Sequence, residues 1–224
     1  MKQAVSPSAE QVKAGSAVYG RGVLAIYDVW VLGIVCPLVW HCSRARMLEQ
    51  YDRHVGNRHL DLGPGSGFYL DRCTFPTDRP ELTLVDLNDE VLRKTAGRLR
   101  RYRPATLRRD VLQPLNLGDA RFDSVGMNFL LHCIPGGFAH KGAVFDNVVP
   151  YVTKGGRIFG STVLSHGVEH GRLAPAKLTI LNATKVMSNR EDSLAGLDEA
   201  LSSRFERYRI EVRGSVAMFE ITVN

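Results

Sequence analysis

The stretch His59-Leu60-Asp61-Leu62-Gly63-Pro64-Gly65-Ser66-Gly67-Phe68-Tyr69-Leu70 decides how this chain is read. Its first residues have the apolar character of a buried strand, and its last ones open a helix. Glycines at 63, 65 and 67 occupy the turn between them. Without a Cβ the backbone there can come close to a ligand, and the helix start offers N–H groups with no partner inside the helix. Dinucleotide folds place G-x-G-x-x-G at the same turn. Here the third glycine comes one residue early and Asp61 precedes the first by two, which gives D-x-G-x-G-x-G.

Outward from this turn, short β-like runs alternate with longer helical ones, the mark of an α/β sheet. RHLDLG (58–63) is the first strand and GFYLDRC begins the helix after it. ELTLVDL (81–87) is the second strand, followed by a helix over about 89–101. TLRRDVL (106–112) reads as the third strand and FDSVGMNFLL (122–131) as the fourth. FDNVVPYVTKGG (145–156) closes a helix before a fifth strand, RIFGSTVL (157–164). In EDSLAGLDEALSSRF, Leu194, Leu197, Leu201 and Phe205 share one helical face. RYRIEVRG and SVAMFEITV then form a hairpin about Gly214-Ser215. The expectation is an α/β fold with a seven-stranded, mostly parallel sheet, helices on both faces and a terminal antiparallel hairpin.

Two acids stand in register with the glycine turn. Asp86 closes the second strand 19 residues after Gly67, where a carboxylate can accept both hydroxyls of a ribose. Asp110 follows the third strand, placed to hydrogen-bond an exocyclic amine of a base. The fourth strand ends over the same crevice with Asn128, Phe129, Leu131 and His132.

Together LDLGPGSG, LTLVDLN, RRDVL, FDSVGMNFLLHCIPG and GGRIFGSTVL resemble the motifs of the class I S-adenosylmethionine-dependent methyltransferases, over roughly residues 50–224. The resemblance implies a Rossmann-like fold and S-adenosyl-L-methionine as cofactor. It implies the methionine moiety near Asp61 and Gly63, with Pro64, Gly65 and Gly67 in the same loop. It puts the ribose on Asp86 beside Leu87, the adenine beside Asp110 and Val111, and Asn128 at the cofactor's methyl end. The fourth strand lacks N-P-P-Y and D-P-P-Y, which argues against methylation of nucleic-acid bases by that motif. Residues 1–50 look like the variable helical lid of small-molecule members, ahead of a cofactor-binding domain at 51–224.

Composition is compatible with this reading. The chain has 224 residues, 44% apolar and 23% charged, enough to bury a core without disulfide or metal staples. A net charge of +6 is too mild to demand nucleic acid. Cys36, Cys42, Cys73 and Cys133 form no C-x-x-C pair and no zinc spacing, so they read as reduced thiols and no metal is expected. The polar N-terminus has no signal-peptide pattern. VLAIYDVWVLGIVCPLVW (23–40) is long and apolar, but Asp28, Gly33 and Pro37 interrupt it, so a buried lid is expected rather than a membrane span.

Candidates for acceptor chemistry are Asn128, His132 as general base, and Tyr27. Tyr19, Tyr27, Trp30, His132 and His166 are the expected substrate contacts, with Trp40 and His170 behind them. Eight Lys or Arg lie between Arg93 and Arg109 with no acid among them, which invites an RNA reading. A solvated outer face of the second helix accounts for them more simply. The expected protein is a cytoplasmic small-molecule methyltransferase, a monomer or homodimer with no nucleic-acid or membrane partner. The alternatives are an RNA or protein methyltransferase and a cofactor-binding protein of the same fold without transfer. A nicotinamide oxidoreductase is disfavoured by the position of Gly67.

Overall fold

The computed structural model describes residues 35–224. The sheet has seven strands: β1 (Arg58–Leu62), β2 (Glu81–Asp86), β3 (Ala105–Arg108), β4 (Phe122–Asn128), β5 (Val152–Val163), β6 (Tyr208–Arg213) and β7 (Val216–Thr222). Their spatial order is β3-β2-β1-β4-β5-β7-β6. The pairs β3-β2, β2-β1, β1-β4 and β4-β5 are parallel, and only β7 runs against its neighbours. The order reverses at β1, between β2 and β4, so the carboxyl ends of these strands open a crevice where open α/β sheets bind ligands.

Helix α1 (Arg44–His54) precedes the sheet, and α2 (Phe68–Arg72) and α3 (Asp89–Arg98) follow β1 and β2. Later come α4 (Phe138–Lys141), α5 (Ala143–Val148), α6 (Ala174–Ala183) and α7 (Leu194–Ser202). Alternation along the strands divides the core in two. Leu60, Leu62, Val125, Met127, Ile158 and Phe219 pack with Phe145 of α5 and Leu197 and Leu201 of α7. On the other face Leu84, Phe159, Val163 and Met218 pack with Met47 and Tyr51 of α1, Leu92 of α3 and Leu178 of α6.

Several sequence boundaries move. Strand β3 stops at Arg108, because residues 109–112 turn: Asp110 Oδ1 accepts the N–H of Leu112 at 3.0 Å. The helix before β5 ends at Val148, and Val152 already belongs to the strand. Helix α6 was not legible in the sequence, because it is apolar without a stripe and Pro175 lies in its first turn. The expected division at residue 50 falls inside α1, whose Met47 and Tyr51 are core residues, so residues 44–50 pack as part of the sheet domain. No described helix is long and apolar enough to cross a membrane.

Candidate active site

The crevice over β1, β2 and β4 is lined by the glycine turn, Asp86, Leu87, Asp110, Val111 and Asn128, and closed at one end by Phe129, Leu130, Ile134 and Pro135. The turn is held rigidly. Gly63 and Gly67 lie at φ +64° and +73°, and a Cβ would come within 2.8 Å of Leu130 at Gly63 and of Thr95 at Gly67. Gly65, at φ +56°, differs: a Cβ there meets nothing within 4 Å, so its face is open to a ligand. Thr95 Oγ1 donates to the Gly65 carbonyl at 2.6 Å, and Arg98 Nη1 donates to that of Ser66 at 3.2 Å.

Asp61 is buried beneath this turn. Its Oδ2 accepts the Tyr51 hydroxyl at 2.6 Å and lies 3.2 Å from His59 Nε2. Asp86 stands across the crevice with Oδ1 accepting the Asn88 N–H at 2.8 Å. Burial pushes its carboxyl up to about 6, against the pull of the Asn88 and Leu87 N–H groups. Asn128 is 8% exposed, and neither its Nδ2 nor its Oδ1 has a protein partner among the described residues. An amide buried with donor and acceptor both unused marks a surface shaped for a polar ligand. Phe129, next to it, holds a left-handed φ of 57°, a strained conformation for a bulky residue and one typical of functional sites.

These features meet a clear likeness to known proteins. Residues 60–158 match the family model described as a methyltransferase domain. Demethylluteothin O-methyltransferase of Streptomyces thioluteus is 41% identical over 94% of this chain and 91% of its own length. The chain belongs to the class I S-adenosylmethionine-dependent methyltransferases. The Physcion biosynthesis cluster O-methyltransferase of Aspergillus chevalieri is 36% identical, over 96% of this chain and 97% of that protein. Among solved structures, DhpI in its complex with SAH shares the fold at a TM-score of 0.67 and 16% identity, covering 96% of this chain and 97% of that one.

Within the methyltransferase, every cofactor residue expected from the sequence, apart from the Gly67 turn position, lies on the crevice wall; Gly67 serves instead as the left-handed N-cap of α2. The acceptor candidates fare differently. His132 is turned into the core, its Nδ1 accepting the Val163 N–H at 3.2 Å. Burial and the Lys141 charge lower its pKa to about 3, so a general base facing the crevice from this position is corrected. His166 is exposed, bonds the Arg190 carbonyl at 2.8 Å and is not among the residues that line the crevice. His170 bridges Ser215 Oγ at 2.9 Å and the Ser165 carbonyl at 3.0 Å, and Trp40 is core, its carbonyl accepting the Ser215 N–H. Tyr19, Tyr27 and Trp30 lie outside the described residues.

Sequence reasoning missed Tyr51, which lines the crevice from α1. Its only signal was an aromatic on the buried face of a helix before the first strand. The basic run is also used differently from expectation. Arg98 Nε and Arg101 clasp Asp71 of α2, Arg108 Nε donates to the Leu87 carbonyl at 3.1 Å, and Arg109 Nε to that of Leu115 at 3.3 Å. Part of the run therefore fastens loops that line the crevice, while Arg93, Arg100 and Arg103 remain on the surface.

Proposed function

We propose that this methyltransferase methylates an acidic hydroxyl, phenolic or enolic, on a small organic molecule of specialised metabolism. The observation that carries the oxygen acceptor is the 41% identity over nearly the whole length to an enzyme named as an O-methyltransferase. Bound in the crevice, S-adenosylmethionine supplies a methyl group activated by its sulfonium. Asp61 would hold the cofactor's ammonium, the Gly63-Pro64-Gly65 backbone its methionine chain, Asp86 its ribose hydroxyls, and Asp110 with Val111 its adenine. The open face at Gly65 and the unpartnered Asn128 amide support this fit.

The chain's own part in the transfer is placement. Holding an acceptor oxygen in line with the methyl group contributes about 7–11 kcal/mol in the best intramolecular cases. Phe129, Leu130, Ile134 and Pro135 keep water from that oxygen, which would otherwise stay hydrated. Asn128 offers an amide to orient it. Among the described residues no histidine or carboxylate stands at this end: His132 faces the core, Tyr51 donates to Asp61, and the Cys133 thiol donates to the Phe129 carbonyl at 3.6 Å. An acceptor with a pKa near that of a phenol, about 10, needs little help in losing its proton, whereas an aliphatic alcohol does. The test is an assay with labelled cofactor against phenols, enols, aliphatic alcohols, amines and tRNA. Turnover confined to amines or tRNA would refute this acceptor assignment.

A cytoplasmic site of action, as a monomer or homodimer, completes the proposal. It is supported by Cys36, Cys42 and Cys73, which are buried and form no disulfide, burial pushing Cys36 and Cys73 up to about 12. Cell fractionation and analytical ultracentrifugation test it.

A further inference from the structure

Asp61 is not an isolated carboxylate but the end of a directed chain of hydrogen bonds. The Gly56 N–H donates to Ser124 Oγ at 2.7 Å, and Ser124 Oγ lies 2.7 Å from His59 Nδ1. With its lone pair engaged by Gly56, the Ser124 hydroxyl is free to give its proton to Nδ1. His59 then carries its own proton on Nε2, facing Asp61 Oδ2 at 3.2 Å. From the opposite side the Tyr51 hydroxyl reaches the same Oδ2 at 2.6 Å. His59 and Ser124 are fully buried and Tyr51 nearly so, with Tyr51 stacked on Tyr69 at 5.3 Å. Gly126 leaves room for this meeting, since a Cβ there would sit 2.8 Å from Asp61 Oδ2 and 3.1 Å from the Tyr51 hydroxyl.

We propose that Tyr51 and the Ser124–His59 pair are positioning residues that occupy Oδ2 of Asp61 and so aim its Oδ1 at the ammonium of the cofactor's amino-acid end. The inference rests on the cofactor reading above and extends it to residues that act through Asp61. Burial and the neighbouring Asp61 charge raise the Tyr51 pKa well above that of a free tyrosine, so the hydroxyl keeps its proton and stays a donor. The consequence is selective: losing the Tyr51 hydroxyl should weaken ligands that carry the amino acid and spare those that end at the adenosine thioether.

Calorimetry with S-adenosylhomocysteine and 5′-methylthioadenosine on the full chain reads this difference. Tyr51→Phe keeps the stacked ring, and the expected result is about tenfold weaker S-adenosylhomocysteine binding with 5′-methylthioadenosine changed less than about twofold. Ser124→Ala, which removes the hydroxyl that fixes the His59 tautomer, should give the same selective loss in a smaller degree. In an Asp61→Asn background Tyr51→Phe should cause no further loss, as expected of a residue acting through Asp61. Equal weakening of both ligands, or none, overturns the inference while the cofactor reading stands. A wild-type chain that binds neither ligand overturns both.

Discussion

Asp86 illustrates how burial sets the working range of the proposed ribose ligand. Its ligand-free carboxyl sits at about 6 against an ordinary 3.8, because the crevice wall withholds water from it. Ribose hydroxyls donate best to the ionised form. Cofactor affinity should therefore be flat above about pH 6 and fall below it, by up to about tenfold per pH unit. The same shift costs the ligand-free fold stability as pH rises from about 4 to about 6, since the folded state holds this proton more tightly than the unfolded chain. Calorimetry with S-adenosylhomocysteine between pH 5 and 8, on about that range, checks the binding limb; Asp86→Asn should lose the acidic fall along with much of the affinity. The glycines separate in the same way. Gly67→Ala meets Thr95 as well as a left-handed backbone and should lower the melting temperature, at about 1–2 kcal/mol for the backbone alone. Gly65→Ala pays only the backbone cost, yet its methyl enters the crevice, so affinity should fall by more than stability does. These residues were legible in the sequence because backbone conformation and strand-end acids leave a pattern in the chain. Tyr51 and His59 were not, because their role depends on a helix and a strand meeting across the sheet, which no spacing records.

At the scale of elements, α4 and the segment before α7 are joined by a buried ion pair. Lys141 Nζ lies 2.6 Å from both oxygens of Asp192, and both side chains are fully buried. Desolvation pushes Asp192 up to about 6 and Lys141 down, so attraction offsets only part of the cost of burying the charges. Asp192→Ala should lose about 3–5 kcal/mol in urea unfolding, whereas the double change Lys141→Met with Asp192→Leu should recover most of it. An Asp192→Ala protein as stable as the unmodified one would contradict this reading of the pair. The contrast between Arg98 and its exposed neighbours is of the same kind. Arg98→Ala, releasing Asp71 and the Ser66 carbonyl, should weaken cofactor binding several-fold, whereas charge reversal at Arg100 and Arg103 should leave turnover unchanged, since exposed charges contribute little. In the sequence these cations were one undivided run. Which of them turn inward depends on where α3 packs against α2, and a helix of mixed charge does not announce that.

For the whole molecule, apolar runs and the terminal hairpin made the seven-stranded sheet readable, because the central strands β1 and β4 are buried almost throughout and β6 and β7 pair locally. The acceptor side was less readable. His132 stood beside the site in sequence, yet the single 3₁₀ turn Leu131–Cys133 carries its ring to the core side. The crevice at the sheet's switch point is proposed to hold S-adenosylmethionine through Asp86 and to serve a small hydroxyl acceptor. The most direct measurement is the affinity of the full-length protein for S-adenosylhomocysteine beside that of Asp86→Ala at neutral pH. One site per chain is expected, with a loss of about tenfold to a hundredfold on removing the carboxylate. Equal affinity in the two proteins would contradict it.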